Sequence, residues 1–519
     1  MNSVQPRLIS LILCISLGAA CQGASVLPTV QPFDEDGPAP TTLMPKPSPT
    51  PTATPTSIPP AYDEASQPAE VSAYRMKLRL TTTSDWTRVI FEGVTMAVTD
   101  QEIIEGSDAP ELKILGLPEI VLSKQGLDQT KVVVEFEVYL AEVEAASLRI
   151  AIGKGHIGST TVELSNFNQD QPHELTTLNH SGVANPNDPL NRRFFSISTQ
   201  ALAEGGARRL SVRSYPKTVL AFYYPWYATP EGPTGEWRVW DVYPPIRTPL
   251  LGFYDVYNPA TVARQIGDAQ TAGIDGFIVS WWGIDHFTDR ALRQTILPVA
   301  EQERFAVTIY YENYGQNREQ IARDFAYISE EYGQSPAFMR VDGRPVLFVY
   351  DMVTTAFNKD DWDFVFQRLD AQGLDCFCIA DGLVAAYNRG DAQYSYLFDL
   401  FQGVHTYFPL DSSPEFLYQL YASNALKAAA KGILFAATVS PGFDNSSWAP
   451  ADGKAELVVD RNGGQLYRQI WEAAIASNPQ WILITSFNEW PEGTEIEPSR
   501  EFGQQYLQLT SELVAVWKR

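Results

Sequence analysis

Cysteine and histidine are scarce in this 519-residue chain, with four of the first and five of the second. That excludes a disulfide-built scaffold, and no Cys/His cluster stands at metal-ligand spacing, so no metal and no cofactor are expected. Cys14 and Cys21 lie near the N-terminus, which leaves Cys376 and Cys378 for the folded part. Two apart in a strand-like run, these side chains point to one face, where a disulfide between them would be strained, and they are expected as small buried residues. Basic residues are also few: 38 Lys and Arg stand against 62 Asp and Glu, a formal net charge of -24 with no basic run. Nucleic-acid binding needs clustered cations to displace counterions, so nucleic acid is excluded as a partner. Hydrophobic residues make up 45% and charged residues 19%, which excludes a mainly disordered chain.

The N-terminus carries Arg7, an apolar stretch from Leu8 to Leu17 and small residues up to Cys21. The stretch is too short for a permanent membrane span, and residues 1–21 read as a secretory signal, so the protein is expected to be exported. Leu17-Gly18-Ala19-Ala20-Cys21 resembles a bacterial lipoprotein signal, with leucine one position further from the cysteine than usual. The resemblance implies lipidation of Cys21 and membrane contact through that lipid alone; ordinary cleavage and release also fits. Residues 22–69 include PAPTTLMPKPSPTPTATPTSIPP, a Pro/Thr-rich tract with little to bury, and are expected to form a disordered, extended linker.

Two rhythms follow. Residues 70–212 hold short alternating runs such as YRMKLRL, RVIFEGVTMAV and VVVEFEVYL, the period of antiparallel strands with one buried face, and predict an all-β sandwich. A structural spacer and a carbohydrate-binding module fit those strands equally. Residues 213–519 hold eight apolar strand-like runs, from TVLAFYY to WILITSF, separated by helix-like segments such as REQIARDFAYISEEYG. That count predicts an α/β fold, a (β/α)8 TIM barrel.

In such a barrel the loops at the C-terminal strand ends converge on one mouth, and the chemistry sits there. Those ends hold Tyr223, Tyr224 and Trp226; Trp281 and Trp282; Glu312; Tyr407; Asp444; and Asn488, Glu489, Trp490 and Glu492. Aromatic faces stack on sugar C–H faces while carboxylates and amides bind hydroxyls, so the mixture predicts an oligosaccharide or polysaccharide substrate. The last strand opens into SFNEWPEGTEIEPS, with four glutamates. Glu489 and Glu492 are the catalytic candidates, since glycosidic cleavage uses a pair of carboxyls whose proximity splits their pKa values. Glu495 and Glu497 are expected in a solvated loop; a calcium site built from these acids lacks the regular spacing of calcium loops.

AFYYPWY, GFIVSWW, the TYF after His405, SPGFD and above all SFNEWPEGTEIEP resemble glycoside hydrolase family 99, the endo-α-mannosidases and endo-α-mannanases, over residues 217–519. The resemblance implies a retaining hydrolase of internal α-linkages, with α-mannan-type glycans the leading substrates. Glu489 would deprotonate the substrate 2-hydroxyl to form a 1,2-anhydro sugar, and Glu492 would act as acid and then base. Tyr407 matches an active-site tyrosine, and Glu312 and Tyr223 match sugar-binding positions. Departures fall at Pro491, where the family often has histidine, and in Phe443–Trp448, where it carries a substrate-binding arginine; the next arginine here is Arg461. A similar NEWxEG segment occurs in barrels of polysaccharide biosynthesis. That role and a non-catalytic glycan-binding protein are the alternatives to a hydrolase.

Overall fold

The computed structural model describes residues 67–519 apart from 108–112, 116–118, 125–128, 142–144, 156, 169–170, 184–187, 205–207, 384–394, 411–412 and 451–452. The expected secretory signal, Cys21 and nearly all of the Pro/Thr-rich tract lie outside the described residues. Among the described residues no helix is long and apolar enough to cross a membrane.

Two antiparallel sheets come first. One runs Met96–Glu105, Val132–Ala141, Gln67–Thr82, Ser159–Asn168 and Gln171–Ser181 in spatial order, with Arg208–Ser214 also paired to Gln67–Thr82. The other runs Arg193–Ser198, Ser147–Lys154, Trp86–Glu92, Ile120–Ser123 and Lys113–Leu115. Alternation drives the packing: in Trp86–Glu92 every second residue is buried. Val89 and Phe91 thereby meet Leu78, Leu80, Val134 and Phe136 of the first sheet in one core.

From Thr218 the chain alternates strand and helix. The strands are β1 (Thr218–Tyr223), β2 (Gly276–Trp281), β3 (Ala306–Tyr311), β4 (Arg344–Val349), β5 (Phe377–Asp381), β6 (Gly403–His405), β7 (Leu434–Val439) and β8 (Trp481–Ile484). Each pairs in parallel with the next and β8 pairs with β1, so the ring closes as the predicted barrel. Around it lie α1 (Pro259–Thr271), α2 (Leu297–Glu303), α3 (Arg318–Glu331), α4 (Lys359–Asp370), α5 (Leu397–Leu400), α6 (Pro414–Lys431), α7 (Gln465–Ala476) and α8 (Gln505–Trp517). Side chains that bond freed N–H groups start several of them: Asn258 caps α1, Asn317 caps α3, Asn358 forms a capping box with Asp361 at α4, and Ser413 caps α6. A ladder of rings fills the barrel from its floor to its mouth: Trp481 touches Phe348, Phe348 touches Phe222 and His405, and Phe222 touches Tyr310 and Tyr407.

Helix α6 is buried on more than one side, because its LYQLYASNALKAAAK run is apolar or small almost all round. One side serves the barrel. The other, with Leu426 and Ala429, packs on Ala73, Ala97, Tyr139, Leu210 and Val212 of the six-stranded sheet, and Ser423 Oγ donates to the Met96 carbonyl at 2.6 Å. Alanines at this contact let sheet and helix backbones approach closely.

Cys376 and Cys378 correct the expectation of two free thiols: they are buried, but joined in a disulfide. Cys376 precedes β5, and the chain is not fully extended at that entry. The two Cα atoms lie 5.5 Å apart, short of the roughly 6.6 Å of two residues in a full strand and within the ordinary disulfide range.

The α6 contact generates a stability prediction. Leu426→Ala should cost about 2–4 kcal/mol, the usual loss for a buried leucine at a packed contact, measured by urea unfolding followed by tryptophan fluorescence; a loss below about 0.5 kcal/mol would mean the sheet does not brace the helix.

Candidate active site

Beyond β8 the chain passes a cis Thr485–Ser486 peptide and makes one 3-10 turn, Trp490–Glu492, with Glu489 as its cap and Gly493 just past its end. A 3-10 helix has three residues per turn, so side chains at i and i+3 stand one above the other. Glu489 and Glu492 therefore project together, their carboxyls within hydrogen-bonding reach. The turn ends at Gly493 with φ of +61°, where a Cβ would come within 2.6 Å of Arg247 Nη2, so a larger residue is excluded.

The other two glutamates correct the expectation of a solvated loop, for both are buried. Glu495 is clasped by Arg247 and Arg461, with Nε of Arg247 at 2.6 Å and Nη2 of Arg461 at 3.0 Å from Oε1. Both guanidiniums also donate to the Gly493 carbonyl. Glu497 accepts from Tyr254 Oη at 2.8 Å, Gln265 Nε2 at 2.8 Å and Trp490 Nε1 at 2.9 Å. A loop this polar was legible only as loop; its burial follows from donors that arrive from positions more than 200 residues away in the chain.

The strand ends divide by the direction their side chains take. Tyr224 Oη donates to Tyr407 Oη at 2.6 Å, and Tyr407 Oη donates to Glu489 Oε2, so both tyrosines face the carboxyl pair. Trp226 and Trp282 are partly exposed and share Ser280 Oγ as acceptor, at 3.2 and 2.9 Å. Glu312 is buried beside them, is hydrogen-bonded with Ser280 and is repelled by Glu492. Asp444 stands against Gly493, but its carboxyl accepts from Ser446 of its own loop.

Four residues expected to contact substrate are turned into the protein interior. Tyr223 and Trp281 are wholly buried toward the helices: Tyr223 Oη donates to Gln265 of α1, and Trp281 Nε1 donates to Asp289. Strand residues alternate between the two sides of the sheet, so each aromatic next to Tyr224 or Trp282 faces away from the mouth. Asn488 is a strap, its amide accepting from the Tyr224 N–H at 2.7 Å and donating to the Tyr224 carbonyl at 3.1 Å. Trp490 lies under the turn, bonded to Glu497.

Sequence reasoning missed Ser280, Arg247, Gln265 and Tyr254. Ser280 and Gln265 carried a signal, as polar residues inside otherwise apolar faces of β2 and α1. Arg247 and Tyr254 lie in the long segment between β1 and α1, where no periodicity exists to read. At the mouth Asp351 and Asp381 add two more acids, and burial together with the Asp351 charge raises the Asp381 carboxyl well above its usual range. Among the described residues no group of three or more His, Cys, Asp or Glu is arranged to hold a metal ion.

Burial dominates the electrostatics. It raises Glu489 well above the ordinary carboxylate range, with the charge of Glu492 adding to the rise. The hydrogen bond from Tyr407, itself the acceptor of the Tyr224 hydroxyl, opposes that rise by favouring the ionised form of Glu489. Burial pushes Glu492 up to about 7 and Glu312 up to about 8. Glu489 is 5% exposed whereas Glu492 is partly open, so the acid that can meet a ligand first is Glu492. Two acids so placed resist ionising together, so loss of the first proton opposes loss of the second.

A family model described as Glycosyl hydrolase family 99 matches residues 214–509. The glycoprotein endo-α-1,2-mannosidase of Rattus norvegicus is 28% identical over 56% of this chain and 70% of its own length. That of Mus musculus is 27% identical over 66% of this chain and 84% of its own. A solved GH99 endo-α-mannosidase from Bacteroides thetaiotaomicron shares the barrel fold, with 24% identity, a TM-score of 0.50, and coverage of 58% of this chain and 97% of that one.

Two outcomes follow from this geometry. Glu495→Ala should destabilise the protein by about 3–5 kcal/mol, because two buried guanidiniums lose their counter-charge; thermal unfolding that matches the parent would refute the clasp. Tyr407→Phe removes a donor that favours ionised Glu489. The acid limb of the kcat/KM profile, which reports loss of the ionised base, should move to higher pH, and a limb that stays put would show that Tyr407 does not act on Glu489.

Proposed function

Because the chain belongs to glycosyl hydrolase family 99 and is therefore a glycoside hydrolase, we propose that it cleaves internal α-mannoside linkages of a glycan with retention, using Glu489 and Glu492. The observation that carries the reading is the pair on a single 3-10 turn, one member fed by tyrosine hydroxyls and the other partly open. Conventional pairs flank the scissile bond at roughly 5 Å or more, leaving room for the sugar carbon and, in inverting enzymes, a water. Carboxyls within hydrogen-bonding reach suit a different division of labour, at neighbouring oxygens of one sugar.

Glu489, ionised, takes the proton of the 2-hydroxyl, and O2 forms a bond to C1 as the C1–O bond to the leaving sugar breaks. Glu492 gives its proton to that departing oxygen. The resulting 1,2-anhydro sugar is opened at C1 by water, which loses a proton to Glu492, while O2 recovers one from Glu489. Two displacements at C1 give net retention. Tyr407 and Tyr224 support the charge on Glu489, and partial exposure suits Glu492 to meet a leaving group. Trp226 and Trp282, with Ser280 fixing both indoles, supply faces for sugar rings.

The N-terminal signal supports an exported protein carrying lipid on Cys21, with the Pro/Thr-rich tract as the tether. The names of the similar proteins support α-mannose as the sugar.

The reading is tested by incubating the protein with a panel of α-mannans and α-glucans and measuring released oligosaccharides. Glu492→Gln should lose at least ~10²-fold in rate, the ordinary general-acid contribution, while still binding the glycan by calorimetry. Near-parental turnover in that variant, or no release from any member of the panel by the parent protein, would overturn the assignment.

A further inference from the structure

Arg247, Arg461 and Lys454 stand on the loops around Glu492, and they differ in what they are free to do. Arg247 and Arg461 are committed to Glu495 and the Gly493 carbonyl. Lys454, on the loop between β7 and α7, is exposed, and its ammonium lies 4.7 Å above the ring of Trp448. That ring is itself fixed. Its Nε1 donates to the Pro491 carbonyl at 2.7 Å, and Tyr243 meets it edge-on at 5.6 Å. The Lys454 N–H is pinned to the Ala449 carbonyl at 2.8 Å. Pro491 immediately precedes Glu492, so the indole and the ammonium it carries are attached to the acid's own turn.

We propose that Lys454, held across Trp448, is a positioning residue for Glu492, a fixed cation that favours the ionised form of this carboxyl. The inference rests on the reading of Glu492 as the group that gives and then recovers a proton. Such a group works when neither form is strongly preferred. Facing it are Glu489 on the same turn, Glu312 after β3, Tyr350 after β4 and Tyr407 after β6. Burial raises its pKa; a hydrogen bond with Glu489 and the Lys454 field both pull the other way. The strand-seven loop has no arginine before Arg461, and Arg461 is buried, so Lys454 is the cation that this loop offers to the open side of the site.

The test follows Glu492 directly, without needing turnover. The protein is labelled with 13Cδ-glutamate, the Glu492 signal is assigned by its loss in Glu492→Gln, and the carboxyl titration is compared in the parent, Lys454→Met and Lys454→Arg. Methionine keeps the stem over the indole and removes the charge. The midpoint should rise by roughly 0.3–0.5 unit in Lys454→Met, the size expected of an exposed charge acting through solvent. It should return to the parental value in Lys454→Arg, and the difference should shrink in 1 M KCl. On α-mannan the basic limb of kcat/KM should move by the same amount and in the same direction. An unmoved midpoint in Lys454→Met, or an equal shift in Lys454→Arg, would overturn the proposal. A protein that hydrolyses no glycan but shows the shift would keep the Lys454 assignment and remove the glycosidase reading.

Discussion

Glu495, held between two buried guanidiniums, is the constraint on which the mouth of the barrel depends. Arg247 reaches it from the segment after β1 and Arg461 from the loop after β7, so one carboxylate ties two loops to the end of β8. The same guanidiniums take the Gly493 carbonyl, which sets where the 3-10 turn stops. Breaking such a pair strands charge in a low-dielectric interior, so opening the clasp is costly. Glu497 extends the clasp toward α1 and locks Trp490 beneath the turn. Of four glutamates in one short stretch, two hold the backbone and two are presented by it.

What is presented is chemically distinctive because it is expensive. Two carboxyls on one turn, largely out of water and close to a third at Glu312, cannot all ionise near neutral pH. The protein offsets this with phenols: Tyr224 donates to Tyr407 and Tyr407 to Glu489, and Tyr407 is held in turn by its N–H to Asp381 and its carbonyl to Thr485. Beneath it Tyr310 stacks at 5.7 Å, continuing the ring ladder from the barrel floor. The proton-handling group is thus supported by the packed core rather than by a mobile loop, and its geometry inherits the rigidity of that core.

The sandwich enters this picture through α6. That helix lies between the six-stranded sheet and the barrel, and it follows β6, the strand that leads into Tyr407. Small side chains at the contact and the Ser423 bond to Met96 make the sheet part of the support for one sector of the barrel. The Cys376–Cys378 disulfide lies at the opposite end from the mouth, at the entry to β5.

By itself the sequence determined the architecture and the chemical pair. Strand period, the helix-like segments between apolar runs, and the recurrence of polar residues after each run specify a closed α/β barrel after a sandwich. Glu489 and Glu492 stand out because they come directly off the eighth strand, and those signals are local, carried by residues that act on near neighbours. Only the tertiary structure decided which aromatic at each strand end faces the mouth. Barrel strands are buried on both faces, so Tyr223 and Tyr224, or Trp281 and Trp282, carry no alternation of polarity to tell them apart. Likewise the burial of Glu495 depends on Arg247, 248 residues away. Closure of the ring creates both distinctions, since it alone defines an inside and brings distant loops to one point.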